Sequence, residues 1–182
     1  MKKSVLNWFI LLLLFVVALQ KMHCQRSDLS FGLAPNYRAN GYGISLSANY
    51  YHTVTDYFQL SLTTTFSKEQ PDAAVEYPYE DYMANFGYFT TILTWPTRGF
   101  SVFFGGGASA GYERINKGRP EIIHEIQIPE SGMVYGVFAS FELDFFLSDS
   151  FSFIAPINGV YHFNSKVDKS MLLLGAGIRW YL

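Results

Sequence analysis

Charge is scarce in this chain, so a charged residue set among apolar neighbours carries information. Glu142 and Asp144 stand two residues apart within the aromatic stretch 135–146, and Arg179 stands near the C-terminus within 175–182. Residues two apart share one face of a strand. Two carboxylates facing a guanidinium can form a dyad for acid–base work, a proton path, or a structural ion pair that offsets the cost of burying charge. Glu113 is a further isolated carboxylate in 100–113. His162, Asn164 and Ser165 form a small polar group, whereas His52, His124 and His162 fall on different connections or strands, so no metal cluster is expected. Ile122, Ile123, Ile126 and Ile128 lie in the polar stretch 114–132, where they either fold onto the rest of the molecule or offer a docking surface.

These residues must be held by strands. In 170–182, Leu172, Leu174, Ala176, Ile178, Trp180 and Leu182 alternate with Gly175, Gly177, Arg179 and Tyr181. Alternation with a period of two is the mark of a strand with one apolar face. The same pattern appears in 42–50, 58–66, 82–88, 100–113, 137–145 and 151–162, and more weakly in 29–38. Together these make eight strands. Parity places Glu113, Glu142, Asp144 and Arg179 on the row opposite the apolar one. Pro156 interrupts the seventh strand and predicts a bulge, since proline cannot donate to a ladder. The glycines of 105–111 predict tight curvature or close inward packing.

The connections alternate in length. Those at 39–40, 53–56, 95–99 and 148–150 are short, 68–81 and 114–132 are long, and 164–169 is intermediate. With both termini on one side, both long connections fall on the other. Outer-membrane barrels have this asymmetry of short periplasmic turns and longer external loops. The expected fold is therefore all-β: an eight-stranded antiparallel up-and-down outer-membrane β-barrel. A soluble eight-stranded barrel with its apolar row facing in is the alternative. The other rows are Ser, Thr, Asn, Gln and Gly with little charge, and aromatics cluster at strand ends, both of which favour the membrane.

Composition agrees. The 182 residues are 18% aromatic, with 13 Tyr and 17 Phe, but only 15% charged, and the net charge is -2. Mean hydropathy is +0.11, modest for a helical membrane protein. Scattered basic residues predict no direct nucleic-acid binding. Lys2 and Lys3 followed by the apolar run 8–19 read as a secretory signal, too short to span a bilayer as a helix. The expected boundaries are 1–24 for the removed signal and 25–182 for the single barrel domain, with cleavage after Ala18 as an alternative. Cys24 is the sole cysteine, and Lys21, Met22 and His23 before it do not suit a lipoprotein signal.

The series Gly111-Tyr112-Glu113-Arg114-Ile115-Asn116-Lys117-Gly118, then Tyr135-Gly136, Glu142, Phe146-Leu147-Ser148-Asp149 and Gly175-Ala176-Gly177-Ile178-Arg179, resembles the TraO proteins of conjugative transposons from Bacteroidetes-type bacteria. The resemblance covers the C-terminal half, and the N-terminal half fits in length and strand pattern. It implies an envelope component of a DNA-transfer apparatus, with other proteins of that machinery and outer-membrane lipid as partners. It implies no catalytic residues and no cofactor. A stand-alone small barrel for adhesion, envelope integrity or ligand binding is the alternative. Barrel-type lipid A deacylases pair a His with a Ser two residues on and an acid in the next strand. Here His162 and Ser165 are three apart, which puts them on opposite faces, and 170–182 holds no acid, so an enzyme is not expected. The expected site is a structural luminal ion pair of Glu142, Asp144 and Arg179, with Ile122, Ile123, Ile126 and Ile128 as the docking loop.

Overall fold

The computed structural model describes residues 28–182, apart from 54, 73–74, 96–98, 120–121 and 124–125. The signal expected over 1–24 lies outside the described residues. No helix among them is long and apolar enough to cross a membrane.

The chain forms β1 (Leu29–Arg38), β2 (Gly41–Tyr51), β3 (Asp56–Asp72), β4 (Val75–Trp95) and β5 (Phe100–Ile115). A 3-10 turn (Asn116–Gly118) and a two-rung hairpin, β6 (Ile122–Ile123) with β7 (Ile126–Gln127), follow. Then come β8 (Gly132–Phe146), β9 (Phe151–His162), β10 (Ser170–Gly175) and β11 (Gly177–Tyr181). Every pairing is antiparallel, and β10 and β11 are two halves of one closing strand. That strand pairs with β9 on one side and β1 on the other, so eight strand positions close into a barrel with no free edge.

The closing strand breaks for a local reason. The register is the same on both sides of the break, with Leu174 opposite Ile157 and Gly177 opposite Ile154. Pro156 therefore causes no bulge, contrary to the expectation. Continuing each register puts Pro35 opposite Ala176 on one flank and Pro156 opposite Gly175 on the other. Neither proline has an N–H to give, so the ladder lapses where the two meet the closing strand. Ala176 N still donates to Pro35 O at 3.1 Å.

The alternation of the sequence becomes an outside and an inside. Leu33, Ile44, Leu46, Leu60, Leu62, Phe86, Phe104, Val137, Ile157, Leu172 and Ile178 are exposed. Val102, assigned by parity to this row, is buried instead, next to the register shift between Thr91 and Leu93. Aromatic contacts bound the apolar band. At the end of the barrel with the short turns, Phe100 meets Phe145 at 4.7 Å and Phe151 stacks on Trp180 at 6.4 Å. At the other, hairpin end, Tyr42 meets Phe66 at 5.6 Å and Tyr161 meets Phe163 at 5.7 Å.

The expected loop 68–81 is largely strand. Lys68 pairs with Pro78 and Glu69 with Tyr77, which carries the β3–β4 hairpin beyond the upper aromatic ring. Above that ring the outward row turns charged, with Lys68, Glu76 and Glu80, while the inward row keeps Tyr77, Tyr79 and Asp81 buried. Inside the band, glycines make room for rings. A Cβ on Gly105 would sit 2.4 Å from the Phe89 ring, and one on Gly87 would sit 2.6 Å from the Phe138 ring.

Candidate functional site

The strands enclose a lumen, and its contents are stacked in layers. The layer at the turn end is aromatic and ionic. Arg179, on β11, is fully buried; its Nη1 lies 3.0 Å from Asp144 Oδ2, and its Nη2 lies 2.7 Å from Glu142 Oε1 at an angle that suits an ion pair better than a linear hydrogen bond. Glu142 and Asp144 come from β8, across the barrel. Tyr57 OH donates to Glu142 Oε1 at 2.9 Å, and Tyr181 OH donates to Asp144 Oδ2 at 2.9 Å. Arg179 Nη1 also donates to Tyr51 OH at 3.2 Å, and the guanidinium lies 5.3 Å from the centre of the Tyr57 ring. Tyr57 stacks on Phe89 at 4.8 Å, and Phe103 meets it edge-on at 5.1 Å. The structure thus brings together the three charges that parity had placed on inward rows.

The middle layer is uncharged. Asn36 Nδ2 donates to Ser45 Oγ at 2.8 Å, which lies 2.9 Å from Thr63 Oγ1, and Gln59 Nε2 donates to Asn49 Oδ1 at 2.9 Å. A cavity of about 30 Å³ is lined here by Ser47, Ser61, Thr63, Asn85, Ser140 and Glu142. Phe138, Ile154, Val160 and Leu173 line it as well, and it has room for roughly one water molecule.

The layer at the hairpin end holds a second buried arginine that sequence reasoning did not single out. Arg38, at the end of β1, reaches Asp168 Oδ2 at 2.9 Å, Glu69 Oε1 at 3.3 Å and Asp81 Oδ2 at 3.7 Å. It lies 5.0 Å from the centre of the Tyr79 ring. Burial, and the nearby charge of Asp168, raise the Glu69 carboxyl above its ordinary range, while Arg38 pulls it down. Burial also raises the Tyr79 phenol well above its usual value.

Glu113 sits beside this layer and accepts from Tyr79 OH at 3.2 Å, Ser165 Oγ at 2.7 Å and Lys166 N at 3.2 Å. The expectation that His162 and Ser165 face opposite ways is corrected. Both are buried, because the chain leaves β9 at His162 and Asn164 anchors the bend, donating to Met133 O at 2.8 Å and accepting from Tyr135 N at 2.9 Å. Ser165 gives its proton to Glu113 and accepts from Val167 N and Asp168 N, which is the work of a turn residue. His162 Nε2 is buried without a hydrogen bond.

The isoleucine loop divides. Ile128 is buried in a cluster with Tyr77, Tyr79 and Ile115, against which Val167 packs. It therefore closes the hairpin end of the core and is not available for docking, a correction to the expectation. Ile122, Ile123 and Ile126 have backbone positions in the β6–β7 hairpin, and their side chains lie outside the described residues. His52 packs on Phe58 and Tyr88 at the turn end, His162 lies at the hairpin end, and His124 is outside the described residues.

Solved structures share this architecture. The N-terminal β-barrel domain of Pseudomonas aeruginosa OprF superposes with a TM-score of 0.58 at 12% identity, over 87% of this chain and all (100%) of that one. Neisserial surface protein A gives 0.59 at 13% identity, over 85% and 94% of the two chains. The outer membrane protein OprG of Pseudomonas aeruginosa gives 0.59 at 7% identity, over 89% and 99%. At such identities the likeness shows the fold, and the fold is that of small outer-membrane barrels. The comparison with curated proteins finds no match. The sequence does match the family described as conjugative transposon protein TraO over residues 19–182, and the chain belongs to that family.

Proposed function

We propose that this protein is a non-enzymatic outer-membrane component of a conjugative transposon transfer apparatus, which acts by docking or bracing envelope partners. The observation that carries the reading is the filled lumen. Arg179, its carboxylates and the packed rings of Tyr51, Tyr57, Phe89 and Phe103 occupy the turn end, and Arg38 with its carboxylates occupies the hairpin end. An eight-stranded barrel has an interior filled by side chains, so a DNA strand is excluded by size. What remains for partners is the projecting β3–β4 hairpin, the β6–β7 hairpin with Ile122, Ile123 and Ile126, and the short turns. With the termini in the periplasm, the hairpins face outward. The alternating rows support placement in outer-membrane lipid, and the ion pair of Glu142, Asp144 and Arg179 has a structural role.

Deleting the gene from a donor tests this. Transfer frequency should fall while growth and envelope permeability stay unchanged, and the purified barrel should pass no measurable current in a planar bilayer. Replacing Ile122, Ile123 and Ile126 with Ser should reproduce part of the transfer loss without loss of heat-modifiable migration on gels. Normal transfer from the deletion donor together with a leaky envelope would favour a stand-alone barrel that serves envelope integrity.

A further inference from the structure

The end of β5 carries a cationic turn that the docking reading does not use. The lipid-facing row of β5 runs Phe104, Gly106, Ala108, Ala110 and Tyr112, and its next member is Arg114. One step of that row is about 7 Å, so Arg114 stands just above the aromatic ring of the band, at the depth of lipid headgroups. The chain then turns through three successive left-handed residues, Asn116 (φ 47), Lys117 (φ 56) and Gly118 (φ 80). Side-chain-bearing residues avoid this region, and Asn and Gly are the two types that tolerate it best. Lys117 has no such excuse. The turn is nonetheless built: Arg119 N donates to Asn116 O at 3.0 Å, Asn116 Nδ2 donates to Arg119 O at 3.0 Å, and Arg114 Nη2 donates to Lys117 O at 3.4 Å. Arg114, Lys117 and Arg119 are all exposed, and a Cβ on Gly118 would meet nothing within 4 Å. Among the described residues, the acid paired with the group is Glu80, 3.3 Å from Arg114 Nη1 and itself held by Tyr82 OH at 2.8 Å. The turn 114–119 itself carries three cations and no acid, and Glu80 pairs with one of them from the neighbouring strand.

We propose that the turn 114–119 is a binding site for the phosphate of an anionic lipid in the leaflet at the hairpin end. Arg114, whose planar fork suits phosphate oxygens, is the anchor, and Lys117 and Arg119 close over it as point and fork charges. The backbone conformation that presents Lys117 is intrinsically disfavoured, and such conformations persist where a function holds them. The inference rests on the reading that the barrel spans a membrane.

The test uses the mature chain folded into phosphatidylcholine vesicles that contain spin-labelled phosphatidic acid or spin-labelled phosphatidylcholine as the probe. Heat-modifiable migration reports insertion for every variant. The wild type should select phosphatidic acid over phosphatidylcholine, and 0.5 M salt, an ionic strength at which the screening length is only about 4 Å, should remove most of that preference. Lys117→Gly preserves the turn and should lower the preference about fivefold, as loss of one near-surface charge does. Arg114→Gln with Lys117→Gln and Arg119→Gln should abolish it, and Arg114→Lys with Arg119→Lys should retain most of it. Removing Lys68, Lys166 and Lys169 instead should leave it unchanged. Equal loss in that second triple variant would mean diffuse attraction and overturn the site. No preference in an inserted wild type would overturn it too, and a transfer defect of the first triple variant would then assign the turn to a protein contact. Failure of the wild type to insert would overturn the membrane reading itself.

Discussion

Arg179 and Arg38 both point into the same lumen and both meet carboxylates, yet the barrel holds them by different means. Arg179 is 0% exposed, its two carboxylate partners come from one strand, β8, and a phenol donates to each of them. Both carboxylates depend on Arg179, because the cluster is buried. Arg38 is 2% exposed, but its partners Glu69 and Asp168 have side chains 26% and 33% exposed and come from the hairpin extension and from the segment between β9 and β10. Water can hydrate Glu69 and Asp168 when the arginine leaves, whereas Asp81, 3.7 Å from Arg38, stays buried. The first cluster fills the lumen between β8 and β11, and the second ties the β3–β4 extension and the segment between β9 and β10 to the end of β1. One chemistry, a guanidinium among carboxylates, thus serves as buried filling at one end and as a partly hydrated link between segments at the other.

Breaking the inner cluster should have the larger effect. Arg179→Ala leaves Glu142 and Asp144 buried without their cation, and a stranded buried charge costs about 3–5 kcal/mol. Arg179→Met combined with Glu142→Gln and Asp144→Asn removes all three charges and should cost less than the single substitution. Urea unfolding in detergent, followed by tryptophan emission and gel migration, measures both. A triple variant weaker than Arg179→Ala would show that the ion pair contributes net stability and not merely mutual compensation.

Breaking the outer cluster should cost less and act locally. Arg38→Ala should lower stability by about 1.5–3 kcal/mol, the range for hydrogen bonds to charged groups, because Glu69 and Asp168 can turn to water and buried Asp81 lies at the longer distance of 3.7 Å. Hydrogen exchange should accelerate in β3 and β4 beyond Ser67 and in 164–169, with little change near Arg179. Uniform acceleration around the whole barrel would instead make the two clusters one cooperative unit.

The two clusters also differ in how legible they were. Glu142, Asp144 and Arg179 sit within rows whose other face is apolar, so parity alone assigns them inward. Arg38 obeys the same rule, following Ser30, Gly32, Ala34 and Asn36 on the inward row of β1. It was overlooked because its partners fall in segments read as loops. Residues 68–81 hide their strand pattern for a physical reason: above the apolar band the outward face meets water or headgroups, so Lys68, Glu76 and Glu80 replace the Leu and Phe that mark strands lower down. Alternation persists in burial but not in hydropathy. The buried side of Ile128 was hidden likewise, since its partners Tyr77 and Tyr79 belong to that unrecognised extension. The two prolines flanking Ala176 were each visible, but their meeting on one strand depends on the barrel's closure, which no local pattern records.

The finest difference between the two ends is their response to protons. Glu69 lies above the aromatic ring, outside the band, and its carboxyl is raised mainly by burial and further by Asp168, against the pull of Arg38. A raised carboxyl binds its proton more tightly in the folded chain than in the unfolded one. Between the ordinary glutamate range and the raised value the folded state therefore carries more protons, and stability falls as pH rises through that window. Glu69→Gln removes the titration. The melting temperature of the wild type relative to Glu69→Gln should accordingly be highest at pH about 4 and should decline toward pH about 7, with the decline confined to the carboxylate range. The direction separates two accounts of Glu69. If attraction to Arg38 dominated over burial, the wild type would instead gain on Glu69→Gln as pH rose, and the mouth would be held shut by charge, not loosened by it.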